Sequence, residues 1–442
     1  MGNGNRKAGW TQSSAVAPLC ALGTLLSLLV PAQATRSPDC GGILTPSGLS
    51  YRKYTARTSP SRDQISSVQV VDLSLSLVPE AGLRLGIEVD LGITPPDAAP
   101  RLARLSILAD LHIDLSPDGD LQLITSYCRP TVEVQSAEEV GSKSSSSDLD
   151  KEINADKICL EVSKLLLLPN EQLMSLTAQF PITPRCQVQY LPLAAPVISE
   201  EGITMSLQTM FQVAGMAVPL PVSPTPFSMP ELVSSSPSHL TLALSEHFYT
   251  SLFFALERAG AFNMTILSPL TTATMAQKIT QVGSLYPEDL PVMLRAELRS
   301  SPRVELEEGR AALKLFLTIH VGAGSPEFQS FLSVSADVTA GLLLSVTNTR
   351  MMISAAVIDQ AIKKPTLWLS PLQATLLEEL FLGTVREEVP VWMNAVLNEG
   401  VHLPHISTFT YTDVSVMIHK DYVLLLCNLK LQARHGEQGA MA

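Results

Sequence analysis

Leu73-Ser74-Leu75-Ser76-Leu77-Val78-Pro79-Glu80-Ala81-Gly82-Leu83-Arg84-Leu85-Gly86-Ile87-Glu88-Val89-Asp90-Leu91 is the stretch that decides the fold. On both sides of Pro79-Glu80-Ala81-Gly82, aliphatic residues alternate with polar or small ones. That is the period of a strand with one buried face, and the Pro-x-x-Gly step between the two runs is a turn. The stretch therefore reads as a β-hairpin, with Val70 and Val71 extending its first strand. The same texture returns at Leu105, Ile107, Ala109, Leu111, Ile113 and Leu115. It turns at Ser116-Pro117-Asp118-Gly119 and resumes at Leu121 and Leu123. These strands are about ten residues long, beyond the usual five or six. Long antiparallel strands with a single apolar face curl around helices or ligands.

Residues 136–157 are polar, with Glu138, Glu139 and a serine run at 144–147, and a helical pattern that begins near Leu149 carries Ile153, Ile158, Cys159, Val162, Leu165 and Leu166. A further strand pair follows through Val188, Tyr190 and Leu193, and then Ile203, Met205 and Leu207. Pro219, Pro221, Pro224, Pro226 and Pro230 make a connector that no helix or central strand tolerates. Ser245 then caps a helix with apolar positions Phe248, Leu252, Phe253 and Leu256, ended by Gly260. A shorter helix around Met275, Ile279 and Val282 closes before Pro287. Alternation returns from Val292 to Leu298, then at Val304 and Leu306, at Leu313 to Ile319, at Phe331 to Val338 and at Leu342 to Val346. Ser370-Pro371 is a helix start; that helix carries Leu376, Leu377, Leu380 and Val385, kinks at Pro390 and continues through Trp392 to Gly400. Strands through Tyr411, Val416 and Tyr422 to Leu426 close the chain. Each half thus runs strands, helix, strands, which is an architecture repeated in element order.

Composition narrows the class. The 442 residues are 46% hydrophobic, 5% aromatic and 16% charged, against about 25% charge in an ordinary domain. Past residue 34 no apolar run reaches the roughly 20 residues of a membrane span. At the N-terminus, Arg6 and Lys7 precede an apolar stretch from Ala15 to Val30 that ends in Ala32-Gln33-Ala34, the pattern of a signal peptide cleaved after Ala34. Removing it leaves 28 Lys and Arg against 42 Asp and Glu, moving the formal net charge from −12 to −14. Such a balance excludes nucleic acid as a partner and argues against electrostatic docking on anionic membranes. Cys20 leaves with that segment. Cys40, Cys128, Cys159, Cys186 and Cys427 remain, an odd number in an oxidising compartment, so one or two disulfides and a leftover thiol are expected. Asn263-Met264-Thr265 is a glycosylation sequon in a secreted chain.

Catalytic and metal chemistry finds little support. The eight histidines form no HExxH motif and flank no Gly-x-Ser-x-Gly elbow. His402 and His405, either side of Pro404, read as surface residues. Asp148, Asp150, Glu152 and Asp156 lack the glycine-centred spacing of a calcium loop. No metal, no cofactor and no enzyme activity are expected.

Several segments resemble the lipid-transfer family of bactericidal/permeability-increasing protein (BPI), lipopolysaccharide-binding protein (LBP) and the PLUNC proteins. The hairpin Leu73–Leu83 is similar to the family's first hairpin. Tyr190 to Pro196 resembles the strand entering its central sheet. Leu242 to Phe248 and Ala259 to Phe262 look like the ends of the helix opening its second half. Glu399-Gly400-Val401-His402-Leu403-Pro404 is similar to the end of its last helix. The matches lie in order between residues 66 and 432 and look most like a long PLUNC, a BPI fold-containing family B member.

The resemblance implies an α+β fold: an elongated boomerang of two curled antiparallel barrel-like domains, each on a long helix, joined by a central sheet. It divides the chain into a signal peptide at 1–34, an irregular leader at 35–64, an N-terminal BPI-like barrel at 65–186, a central sheet and Pro-rich linker at 187–240, a C-terminal barrel at 241–432 and a tail at 433–442. Cys128 and Cys159 match the family's shared disulfide; Cys40 with Cys186 is a second candidate pair, and Cys427 reads as a buried thiol. In lipid-holding relatives an acyl chain lies between sheet and helix. Here that role falls to Phe248, Leu252, Phe253, Leu256, Leu376, Leu380 and Trp392, although a solid core needs the same residue types. The leader is shorter than the family's leading helix and the Cys128–Cys159 segment is compressed, so the second half is the favoured site. The expected protein is a secreted, glycosylated lipid carrier of mucosal innate immunity that holds a phospholipid-like partner without a stable membrane anchor and touches bacterial surfaces weakly at most. The alternative is a scaffold of the same fold that recognises a protein or a bacterial surface.

Overall fold

The computed structural model describes residues 37–50, 65–93, 101–135, 155–218, 225, 227–230, 238–286, 288–324, 327–363, 383, 386–405 and 409–431. Of two compact units, Met1–Ser37 and Pro38–Ala442, the second contains all the described secondary structure. The signal segment, the acidic residues at 148–152 and the helix start at Ser370-Pro371 lie outside the described residues.

In chain order, β1 (Cys40–Leu44) and α1 (Pro46–Ser50) come first, followed by β2 (Ile65–Val78), β3 (Gly82–Ile93), β4 (Arg101–Leu115) and β5 (Leu121–Gln135). Helices α2 (Ala155–Leu165) and α3 (Leu167–Met174) lead into β6 (Phe180–Thr183), β7 (Cys186–Pro192), β8 (Val197–Ser199), β9 (Gly202–Val213), β10 (Met216–Ala217) and β11 (Leu240–Ser245). The second half opens with α4 (Glu246–Arg258) and continues through β12 (Met264–Thr271), α5 (Thr272–Lys278), α6 (Thr280–Leu285), β13 (Pro291–Glu307), β14 (Arg310–Ala323), β15 (Gln329–Thr347) and β16 (Arg350–Lys363). Helix α7 (386–397), β17 (Val401–His402), β18 (Phe409–His419) and β19 (Tyr422–Leu431) complete it.

These strands form three antiparallel sheets: β2-β3-β4-β5 in sequence, β12-β13-β14-β15-β16-β17 in sequence, and a nine-stranded central sheet with backbone order β18-β19-β11-β1-β9-β7-β6. The first two are curled, open half-barrels within a mixed α+β fold. Three expectations need correction. The supposedly irregular leader supplies β1, which pairs with β11 on one side and β9 on the other, and also α1. The central sheet is not confined to 187–240, because β1, β6, β18 and β19 come from outside that range. The long helices are only partly described: the helix read from Ser370 lies outside the described residues up to 382, and the longest described helix, α4, has 13 residues. Alternation that read as several short strands forms single long ones: β13 and β15 run 17 and 19 residues.

Local chemistry explains the turns and ends. In the β2–β3 turn Gly82 sits at φ +128°, and a Cβ there would lie 2.2 Å from the Leu111 carbonyl oxygen, so only glycine fits. The Ser245 hydroxyl accepts from the Phe248 amide and starts α4. Strand β13 loses ladder register between Leu298 and Arg303. Just beyond, α4 side chains accept its amides: Val304 N–H donates to Thr250 Oγ1 at 3.2 Å and Leu306 N–H to Glu246 Oε2 at 2.8 Å. Burial of that carboxylate raises its pKa, while the Leu306 bond opposes the rise.

Both half-barrels end an edge with the same device. The Asn170 amide of α3 accepts from Leu123 N–H at 2.7 Å and donates to Leu123 O at 3.1 Å. The Asn394 amide of α7 does the same to Ala355 of β16, at 2.7 and 3.2 Å. A primary amide offers one donor and one acceptor side by side, as a strand residue does, and so occupies an edge that would otherwise template another chain. Asn170→Ala and Asn394→Ala are each expected to lower unfolding free energy in urea by about 1–3 kcal/mol. No loss would mean that water serves these edges equally well.

Candidate functional site

Two apolar interiors compete for the role. In the second half, Phe248, Leu252, Phe253 and Leu256 of α4 are wholly buried. Phe248 meets Tyr249 edge-on at 5.2 Å between ring centroids and Phe211 of β9 at 6.2 Å; Phe253 meets Phe262 at 6.3 Å, and Phe262 meets Trp392 of α7 at 5.5 Å. Trp392 is half-buried at the margin of this core. Four of the expected lipid-contact residues are therefore brought together as a continuous packed core with Trp392 at its rim, while Leu376 and Leu380 lie outside the described residues. Met275, Ile279 and Val282 of α5, α6 and their junction close the core further along the sheet.

The first half differs. Cross-strand partners form three apolar rows on the inner face of its sheet: Leu73-Ile87-Ile107, Leu75-Leu85-Ala109 and Leu77-Leu83-Leu111. Beneath α2, whose Val162 and adjoining Leu166 are buried, the β4 members are closed off. Toward β2 the cover thins: Ala109 is 0% exposed, Leu85 is part-buried and Leu75 is 37% exposed. Among the described residues, this face is an apolar trough open along its β2 side. The Cys128–Cys159 disulfide ties β5 to α2 and fixes the covered wall. Closing a loop of 31 residues contributes about 3–4 kcal/mol by restricting the unfolded chain.

The opposite face of the same sheet is polar. Arg84–Asp110 and Arg104–Asp90 pair across strands at 2.7 and 2.8 Å. Between these pairs Gly86, lacking a side chain, leaves a shallow depression of about 370 Å³ lined by Asp72, Ser74, Glu88, Ser106, Leu108 and Arg129. Charge on one face and aliphatic rows on the other make the sheet strongly two-sided.

Among the described residues the cysteines beyond the bridge are buried thiols: Cys40, Cys186 and Cys427 are free. Burial pushes Cys186 and Cys427 each up to about 12, so neither is a nucleophile at neutral pH. The candidate pairing of Cys40 with Cys186 is not made; the Cys40 thiol contacts Thr209 Oγ1 at 3.5 Å instead. His402 and His405 also depart from the sequence reading. They are part-buried, His402 stacked on Phe180 and His405 tilted against the same ring, rather than lying on the open surface. Their three-residue spacing was visible, but the ring they meet lies more than 200 residues earlier. The trough was legible as alternation, whereas its incomplete cover was not, because cover depends on where a separate helix comes to rest.

The chain belongs to the LBP / BPI / CETP family, whose C-terminal domain matches residues 182–431. It is 64% identical to Protein TENP of Gallus gallus over 93% of its own length and 99% of that protein. It is 25% identical to BPI fold-containing family B member 2 of Homo sapiens, again over 93% and 99%. The crystal structure of lipopolysaccharide binding protein covers 90% of this chain and is itself covered completely, with a TM-score of 0.50 and 18% identity, a likeness of fold. No helix among the described residues is long and apolar enough to cross a membrane.

Core and trough make different demands on stability. Leu252→Ala and Phe253→Ala are expected to cost about 2–5 kcal/mol in chemical denaturation, and Leu75→Ser less than about 1 kcal/mol. A cost under about 1 kcal/mol at Leu252 would mean that α4 faces a ready-made slot.

Proposed function

We propose that this chain is a secreted, non-catalytic lipid carrier whose first binding surface is the inner trough of the N-terminal sheet. The observation that carries the reading is the fall in cover from Ala109 to Leu75 along one apolar row. An acyl chain laid there covers Leu73, Leu75, Leu77, Leu85 and Ile87 without moving any packed ring. Each methylene it buries contributes about 0.8 kcal/mol, so no charged anchor is required. Family membership supports a lipid as the ligand, since relatives and structural neighbours include proteins named for lipopolysaccharide binding and for bactericidal permeability increase. The same names support a role in host defence. Exit from the cell rests on the basic-then-apolar N-terminus ending at Ala34 and on the disulfide.

A second slot around Phe248, Leu252, Phe253, Leu256, Leu376, Leu380 and Trp392 belongs to the same reading, but lipid entry there requires α4 or α7 to shift. Closed packing of the α4 residues favours the scaffold alternative for that half alone. The phospholipid-like class of the ligand and weak contact with bacterial surfaces remain parts of this proposal. The negative charge favours neutral or zwitterionic lipids over the phosphate-rich headgroups that basic sites select.

Native mass spectrometry of protein recovered from medium, followed by organic extraction, tests the carrier. A discrete adduct that extraction removes is expected, and Leu75→Asp with Leu85→Asp should reduce it at least about tenfold. A bare mass that stays bare after incubation with phosphatidylcholine vesicles would overturn the reading. Asn263 and Thr265 are exposed at the start of edge strand β12. Treatment of the same sample with peptide N-glycosidase should therefore lower its mass by one glycan, and an unchanged mass would remove the glycosylation claim.

A further inference from the structure

Three rings meet where an end strand of the central sheet touches an end strand of the second half-barrel. Phe180 of β6 lies 5.0 Å from the His402 ring of β17 and 5.2 Å from His405, centroid to centroid. The two imidazoles lie 5.8 Å apart with planes within 17° of parallel. Each ring touches the other two, so the contact spans both sheets.

Hydrogen bonds fix both imidazoles where they stand. Tyr190 Oη of β7 donates to His402 O at 2.6 Å, and Leu403 N–H donates to Thr349 O at 2.9 Å. The Tyr411 hydroxyl of β18 donates to Pro404 O. His405 Nδ1 lies 3.0 Å from Leu403 O, which assigns its proton to that nitrogen, and His402 Nδ1 lies 3.5 Å from Thr349 Oγ1. The charged neighbours offer no compensation for an added proton. From β16, Arg350 stands beside His402, with its guanidinium bound to Glu399 O at 2.7 Å and to Glu399 Oε2 at 3.2 Å. From β7 and β18 the facing groups are the phenols Tyr190 and Tyr411. Neither imidazole has a carboxylate within ion-pair distance among the described residues.

We propose that the Phe180–His402–His405 stack is an acid-released latch: neutral imidazoles hold the central sheet to the second half-barrel, and protonating both parts them. Two imidazolium rings at 5.8 Å, beside Arg350 and with no carboxylate to receive either, repel each other and need water that the stack excludes. Burial lowers both histidines, and for His402 the Arg350 charge and His405 add to it, bringing it to about 4. A folded-state pKa below the free value of 6.5 means full stability above pH 6.5, lost as pH falls toward 4. Asp39 cannot cause that loss. Burial raises its carboxyl to about 6, so its protonation on acidification favours the folded state. His247 of α4 is lowered by burial too but lies outside the stack, and so serves as the control. The latch operates with or without a bound lipid.

Hydrogen exchange of the full chain at pH 7 and pH 4.5, corrected for intrinsic rates, reads the latch locally. Peptides spanning 178–190 and 399–405 are expected to lose at least about tenfold of their protection at pH 4.5 in the wild type and in His247→Phe. His402→Phe/His405→Phe, which keeps three rings but cannot be protonated, should retain it. Retained protection in the wild type, or equal loss in the double variant, would overturn the proposal. Should the double variant fold poorly at pH 7, histidine titration by NMR on the wild type decides instead. Both imidazoles titrating below pH 6 supports the latch, and an ordinary value near 6.5 for either refutes it.

Discussion

Five residues hold the central sheet together. Cys40–Leu44 pairs along its whole length with β11 on one side and β9 on the other. Remove it, and the sheet falls into a part from the first half (β6, β7, β9) and a part from the second (β11, β18, β19), each with a bare edge. The strand is anchored just before its first residue. Asp39 O accepts from Ser245 N–H at 2.9 Å, while the Asp39 carboxylate accepts from the Thr209 amide and hydroxyl at 2.8 and 3.0 Å. Everything that links the halves, including the ring stack at β6 and β17, sits on a frame these few residues complete.

That strand is also the clearest instance of what a sequence conceals. Cys-Gly-Gly-Ile-Leu has weak intrinsic strand preference, and two adjacent glycines read as loop. The glycines are there because neighbours are close: a Cβ at Gly41 would come within 2.7 Å of the Met205 carbonyl oxygen. Tertiary crowding chose the residues, and crowding leaves no periodic trace. By contrast, the β2–β3 hairpin was readable residue by residue, since alternation and the Pro-x-x-Gly turn are local facts. The same holds for the Ser245 cap. The asparagine edge caps and the histidine stack pair residues tens to hundreds of positions apart, where one sequence carries no signal. At the candidate site, the aliphatic type of each residue was legible, but whether α4 met a slot or a packed core was not. Both environments select the same side chains.

The two halves share a plan and differ in closure. Each ends an open sheet edge with an asparagine amide borrowed from a helix, Asn170 on Leu123 and Asn394 on Ala355. The repetition extends the similarity from element order to atomic detail. In the second half, aromatic residues of α4 and α7 join the six-stranded and central sheets into one core. In the first, a smaller core under α2 leaves the leucines of β2 only partly covered. The reason is supply: α2 brings no aromatic side chain to its sheet, whereas α4 brings Phe248, Tyr249 and Phe253. A half-barrel with an unfilled apolar face has free energy to gain from an apolar guest, and a filled one must first give up its own contacts.

Whether a lipid occupies that face is answered most directly by photocrosslinking. A fatty acid carrying a diazirine near the middle of its chain, irradiated with the purified secreted protein, leaves a covalent mark that peptide mapping locates. Occupation of the trough requires marks on β2, β3 and α2, competed away by excess phosphatidylcholine. Marks confined to α4 and α7, or scattered and uncompeted, would contradict the trough as the primary lipid site.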